Sequence, residues 1–189
     1  MNENKNQHEL NVCLDECLLY IHSFLKGKKT VVKTLQIGLA DGKLANTIVN
    51  ATQKPHIVVD PRQEMHQFSG IKFLKAEDNW DLIDFRDDNS YAVLPKLLEG
   101  NILPEFIVID GDLRFDAMLT DFFNVDLILK KNCFVLIRKN ELESTRLVHQ
   151  FIQTNRQEYT IVKELNQYIL YQKEARDIRK MDFFEPFYL

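Results

Sequence analysis

Three apolar runs in this chain end abruptly in carboxylates or glycines. Phe106-Ile-Val-Ile runs into Asp110-Gly111-Asp112, His56-Ile-Val-Val runs into Asp60-Pro61, and Val31 to Ile37 runs into Gly38-Leu39-Ala40-Asp41-Gly42. A carboxylate at the end of a buried strand can accept hydrogen bonds from a ligand, hold a cation or act as a general base. Glycines after a strand let a ligand approach the backbone and let the chain turn into a helix. The segment Gly38 to Gly42 lacks the G-x-G-x-x-G spacing, whose middle glycine makes room for a pyrophosphate. Gly42-Lys43-Leu44 also lacks the hydroxyl of a phosphate-binding loop. The chemistry that remains is a nucleoside ligand without phosphates, with the backbone of Gly38, Leu39, Ala40 and Gly42 beside it.

Asp60 follows Gly38 by about 20 residues, the place from which an acid accepts hydrogen bonds from both ribose hydroxyls. The alternative is a turn acid ahead of Pro61. Asp110 is directed into the same cleft and is the candidate for catalysis and for ligand contact. Asp112 is either a second cleft acid or the cap of the helix that follows. Asn89 and Ser90 either reach an adenine edge or belong to a solvated loop, and Ser90 also suits a helix cap. Among the histidines, His66 is near the cleft, His22 and His149 read as surface or boundary residues on helices, and His56 begins its strand at the end away from the chemistry.

The elements that position these residues follow from periodicity. Leu10, Leu14, Cys17, Leu18, Ile21 and Leu25 recur at helical spacing up to Gly27. Val31 to Ile37, His56 to Val59, Asp81 to Asp87, Phe106 to Ile109 and Phe134 to Ile137 read as strands. Helices are predicted after Gly42, around Ile71 to Ala76, from Ser90 to Gly100, from Phe115 to Leu129 and around Leu147 to Ile152. Tyr159-Thr-Ile-Val and Tyr168-Ile-Leu-Tyr are separated by too few residues for a parallel crossover, so they pair antiparallel. The fold class is therefore α/β, a Rossmann-like doubly wound sheet, mostly parallel and seven-stranded, with an antiparallel C-terminal hairpin strand. Residues 1–9 are expected to be disordered, 10–172 to form one domain with an N-terminal helix, and 173–189 to form an arm that packs on the domain or against a partner chain.

With 189 residues, 45% apolar and 28% charged, the chain has the composition of a soluble globular domain. Its net charge of -4 argues against nucleic acid and anionic membrane as partners. No run approaches the ~20 apolar residues of a membrane span. Cys13 and Cys17 share a helix face as small core residues, and with Cys133 they make no metal or redox motif. An odd cysteine count with a polar start, Met1 to Gln7, points to a reducing, cytoplasmic setting.

Together these motifs resemble the class I S-adenosylmethionine-dependent methyltransferases, and within them a bacterial group of small O-methyltransferase-like proteins. The resemblance runs from Leu35 to Tyr171. It is carried by Leu35-Gln-Ile-Gly-Leu-Ala-Asp-Gly42, Val58-Val-Asp-Pro-Arg-Gln63, Ser90-Tyr-Ala-Val-Leu-Pro-Lys-Leu-Leu98 and Phe106-Ile-Val-Ile-Asp-Gly-Asp-Leu-Arg-Phe-Asp116, continuing through Asp121-Phe-Phe. It implies S-adenosylmethionine as cofactor, contacts from Gly38, Leu39, Ala40, Gly42, Asp60, Pro61, Asn89, Ser90 and Asp110, a small-molecule oxygen acceptor, and Asp110 as the catalytic candidate. The chain departs from the family at Gln36, where an acid is usual, at Leu113 for a histidine, and at Lys131-Asn132-Cys133 for Pro-Gly-Gly. It departs again at Arg138-Lys139-Asn140, where an acid often helps to hold metal. An acidic metal site needs ligands from both strand ends; here one end is basic, and no metal is expected. The same losses motivate the alternative, a non-catalytic protein of this fold that binds cofactor or a partner. A nicotinamide dehydrogenase is disfavoured by the missing middle glycine. The aromatic tail permits a homodimer without requiring one.

Overall fold

The computed structural model describes residues 16–187. The expected disorder of residues 1–9, and the positions Leu10, Cys13 and Leu14, lie outside the described residues. Residues 16–27 form helix α1. There follow β1 (Thr34–Ile37), α2 (Lys43–Thr52), β2 (His56–Val59), α3 (Ser69–Ala76), β3 (Ile83–Arg86), α4 (Ser90–Glu99) and β4 (Phe106–Ile109). The chain continues through α5 (Phe115–Ile128), β5 (Phe134–Arg138), α6 (Glu143–Asn155), β6 (Tyr159–Glu164) and β7 (Tyr168–Lys173). The strands make one seven-stranded sheet in the order β3-β2-β1-β4-β5-β7-β6. β1 to β5 are parallel, and β7 inserts antiparallel between β5 and β6. This is the Rossmann-like methyltransferase fold.

Successive side chains of each strand point to opposite faces, and both faces are covered. Leu35, Ile37, Ile107, Ile109, Val135 and Ile137 pack against α4, α5 and α6 through residues such as Leu97, Phe122, Val125 and Ile152. Val108, Leu136 and Leu170 face α1 and α2 through Ile21, Leu25 and Ile48. Burial on both faces explains why the central strands read as unbroken apolar runs. The strand expected from Val31 begins only at Thr34, because Val32 and Lys33 are exposed and their amides donate to the Glu105 carboxylate instead of to a neighbouring strand. His56 is a core residue: Nδ1 meets Thr34 Oγ1 at 2.8 Å, and burial pushes its pKa down to about 3. His149, expected at the surface or its boundary, is instead buried between the Tyr171 hydroxyl and the Arg138 carbonyl.

The chain order reverses between β1 and β4, where an open α/β sheet forms its crevice. The register makes that crevice level: Ile37 lies beside both Val59 and Ile109, so Gly38, Asp60 and Asp110 emerge together. At the far edge a buried ion cluster ties the hairpin down. Arg156, 1% exposed, sits 2.6 Å from both Asp126 Oδ2 and Glu158 Oε1, and Lys173 Nζ reaches Asp126 Oδ1 at 2.7 Å. The C-terminal arm lies on the same edge: Asn155 exchanges two 2.8 Å hydrogen bonds with the Glu185 backbone, and the rings of Phe151 and Phe187 meet edge to face. Removing one member of a buried ion pair strands the other charges. Arg156→Met should therefore cost about 3–5 kcal/mol in urea denaturation; a loss under about 1 kcal/mol would show that the cluster is not a structural tie.

Candidate functional site

The segment after β1 is fixed by close backbone approach. Gly38 has φ 85°, and a Cβ there would lie 2.2 Å from the Asp110 carbonyl oxygen. No other residue type fits between the ends of β1 and β4. Gly42, at φ 84°, would place a Cβ 2.8 Å from the carbonyl oxygen of Gly70, so α3 begins tight against this loop.

Asp60 is 5% exposed and binds the loops together. Its Oδ2 accepts from the Leu39 amide at 2.9 Å and from Gln63 Nε2 at 2.9 Å, while Oδ1 accepts from the Arg62 amide at 2.8 Å. A carboxylate offers about four acceptor sites. The chain uses three, leaving one on Oδ1.

Between these loops and α4 and α5 lies a cleft of ≈ 540 Å³, within the range of small-ligand sites. Gly38, Asp60 and Pro61 line one wall, Asn89, Ser90 and Tyr91 the start of α4, and Gly111 and Asp112 the floor at the end of β4. Ala117, Thr120 and Asp121 of α5 complete it. Gly38, Asp60, Pro61, Asn89 and Ser90, all singled out from sequence, are thus brought to one cavity. Leu39, Ala40 and Gly42 lie in the loop behind it: the Leu39 amide is spent on Asp60, and the Ala40 carbonyl accepts from Gln63. Arg62 and Asp112 meet across the mouth at 3.6 Å.

Two expectations are corrected. Ser90 does not cap α4; the cap position is Asn89, without a side-chain bond, and the Ser90 hydroxyl donates to Asp121 Oδ1 at 2.5 Å. Asp112 does not cap α5, which starts from Arg114 at its cap position. Its carboxylate accepts from the Arg114 amide and side chain, and this hydrogen bonding holds its pKa down.

Asp110, expected to point into the cleft, lies beside it rather than among its lining residues, and is reached by Tyr168 of β7. Its Oδ2 accepts from the Tyr168 hydroxyl at 2.6 Å and lies 3.7 Å from the Arg138 guanidinium. Burial pushes its pKa up to about 6 against the pull of Arg138 and Tyr168. Arg138 and Tyr168 face each other across the β5–β7 ladder, so the basic strand end seen in the sequence supplies the counter-charge. Among the described residues, no cluster of three or more His, Cys, Asp or Glu side chains could hold a metal ion.

Asp121 escaped the sequence reading. It is 4% exposed on the apolar stripe of α5, three residues after Met118 and four before Val125. An acid on a buried helical stripe is the signal that could have exposed it. Burial pushes its pKa up to about 6, and the Ser90 hydrogen bond only partly offsets this.

The fold is shared with the O-methyltransferase TomG from Streptomyces achromogenes, solved in complex with SAM, at 13% identity over 82% of this chain and 78% of that one, with TM-score 0.65. It is shared with an O-methyltransferase from Bacillus cereus in complex with SAH, at 12% identity over 82% and 79%, with TM-score 0.64. An rRNA methylase from Streptococcus thermophilus matches at 12% identity over 82% and 94%, with TM-score 0.62. At such identities the likeness is one of fold. No protein-family model and no curated protein matches the sequence.

The raised pKa of Asp121 has a consequence for stability. The folded state holds this proton more tightly than the unfolded state, so the contribution is favourable at low pH and is lost as pH rises from about 4 through about 6. Asp121→Asn cannot ionise and keeps its hydrogen bond from Ser90. It should be more stable than the parent by about 2 kcal/mol at pH 7.5 and equal to it near pH 4, as read from denaturant melts at the two pH values. A variant less stable at pH 7.5 would contradict the assignment.

Proposed function

We propose that this protein is an S-adenosylmethionine-dependent methyltransferase acting on an oxygen of a small molecule. The observation that carries the reading is the Asp60 carboxylate on the wall of a nucleoside-sized cleft at the chain reversal, with one acceptor site left on Oδ1. The residues fit the group. Gly38 offers bare backbone for the methionine part, Asp60 accepts a ribose hydroxyl, and Pro61 closes the sugar side. Asn89 and Ser90 stand where the base would lie. Nothing in the lining resembles a phosphate cradle, which suits an adenosine without phosphates.

The cofactor, when bound, supplies a methyl group on a positively charged sulfonium, open to displacement by an oxygen nucleophile. The chain contributes mainly position, which is where such a displacement gains most. The protein-side base is Asp110: the Tyr168 hydroxyl and Arg138 hold Oδ2, leaving Oδ1 to take the proton of an acceptor hydroxyl. A pKa near 6 leaves that carboxylate ionised at neutral pH yet basic enough for the task. Charge favours a small acceptor over RNA, although the fold serves both: Asp112 and Asp116 stand in the cleft wall, and the chain carries net charge -4. The odd cysteine count of the sequence fits a reducing compartment, and no described helix is long and apolar enough to cross a membrane.

Two measurements test the reading. Calorimetry with S-adenosylhomocysteine should show binding. Asp60→Ala, checked for native circular dichroism, should weaken it more than tenfold, over about 1.4 kcal/mol; unchanged affinity would refute the role of Asp60. On any hydroxylated acceptor that turns over, the rate should rise with pH through about 6 as Asp110 ionises. Asp110→Asn should slow it about 100-fold while cofactor affinity stays within threefold. A flat profile between pH 5 and 8 would remove Asp110 from the chemistry.

A further inference from the structure

The reading of the cleft as an adenosine site leaves one of its groups unexplained. Asp121 is nine-tenths and more buried, yet its carboxylate has no cation at ion-pair distance among the described residues. Ser90 satisfies Oδ1. Oδ2 takes no hydrogen bond among those residues, although the side chain lines the cleft. That oxygen opens onto the cleft, and a carboxylate on an otherwise buried side chain is costly to keep. A fold that keeps one on an otherwise apolar helix stripe leaves room there for a donor from outside the chain.

The surroundings say what kind of donor. Asp60 and Gly38 come from the β1–β2 side of the cleft and Ser90 and Asp121 from α4 and α5, with Gly111 packed beside Gly38 in the floor between them. A nucleoside with its sugar at Asp60 and its amino-acid half along Gly38 directs its base to the α4–α5 side. The slot is kept open by Gly111: a Cβ there would lie 3.0 Å from the Ile37 side chain and 3.9 Å from Asp121 Oδ2, filling the gap between strand end and carboxylate. A flat ring edge fits such a gap. The nearby Arg62 is engaged with Asp112 across the mouth, so neither of these charges needs Asp121 as its partner.

We propose that Asp121 is a specificity-determining residue: its Oδ2 accepts a hydrogen bond from the exocyclic amine of the purine, and Ser90 fixes the carboxylate in place to do so. The inference rests on the adenosine reading and sharpens it, because it states which base the site selects. An amino group at the six position donates to Oδ2. An oxo group there presents an acceptor to an acceptor and leaves Oδ2 unpaired, the kind of mismatch that discriminates most strongly.

The test is calorimetric titration of the full chain with S-adenosylhomocysteine and with its 6-oxo counterpart, S-inosylhomocysteine. The parent protein should favour the amino ligand by about 10- to 100-fold. Asp121→Asn can turn its amide N–H toward a 6-oxo group, so the preference should fall below threefold or reverse, while the variant melts at a higher temperature than the parent without ligand. Equal affinities in the parent, or an undiminished preference in Asp121→Asn, would overturn the assignment of Asp121 and leave the adenosine site standing. Failure of the parent to bind either ligand would overturn the adenosine reading, and this inference with it.

Discussion

Three N–H groups converge on the Asp60 carboxylate, and the geometry of the cleft depends on that convergence. Leu39 belongs to the loop after β1; Arg62 and Gln63 belong to the loop after β2. One buried side chain therefore ties together the two loops that leave the paired ends of β1 and β2. The contact between Gly38 and the Asp110 carbonyl sets the spacing on the other side, toward β4. With both fixed, the crevice at the chain reversal holds its width without a ligand. Binding then need not pay for ordering these loops, the condition under which a small polar ligand gains affinity.

The two acids with raised pKa values lie on opposite sides of this frame. Asp110 has Arg138 and Tyr168 to stabilise its charge; Asp121 has one hydroxyl. Neither is the choice that stability alone would make on buried elements. Perturbed carboxyls beside a cleft are the usual mark of groups held for a ligand or a proton. Arg138 gives the chain its own solution at the β5 end: a fixed guanidinium faces Asp110 where a metal-dependent site would need a second acid. The positive charge on that side of the site is part of the protein.

The apolar runs made the parallel strands legible, because a strand buried on both faces cannot hide its composition. Phe106 to Ile109 and His56 to Val59 were found to the residue. The short link between Tyr159 and Tyr168 dictated the hairpin. What sequence could not supply was long-range partnership. Thr34, His56 and Gln36 form a polar chain inside the core, and Tyr168 reaches Asp110 from 58 residues away; neither contact leaves a local pattern. Ser90 looked like a cap because it precedes an apolar helical run, but the helix already includes it, with Asn89 at the cap position, and its hydroxyl donates to the tertiary partner Asp121. Val31 looked like strand because it is apolar and buried, yet its neighbours have no strand to pair with. Asp121 was overlooked because reading α5 as an apolar stripe meant passing over the one acid on it.

The most direct test of the central claim is a crystal structure of the protein grown with S-adenosylhomocysteine. A ribose hydroxyl within hydrogen-bond distance of Asp60 Oδ1, with the amino-acid half beside Gly38 and the base between Gly111 and α4, is the predicted result. A ligand bound elsewhere, or a cleft that stays empty at saturating concentration, would contradict it.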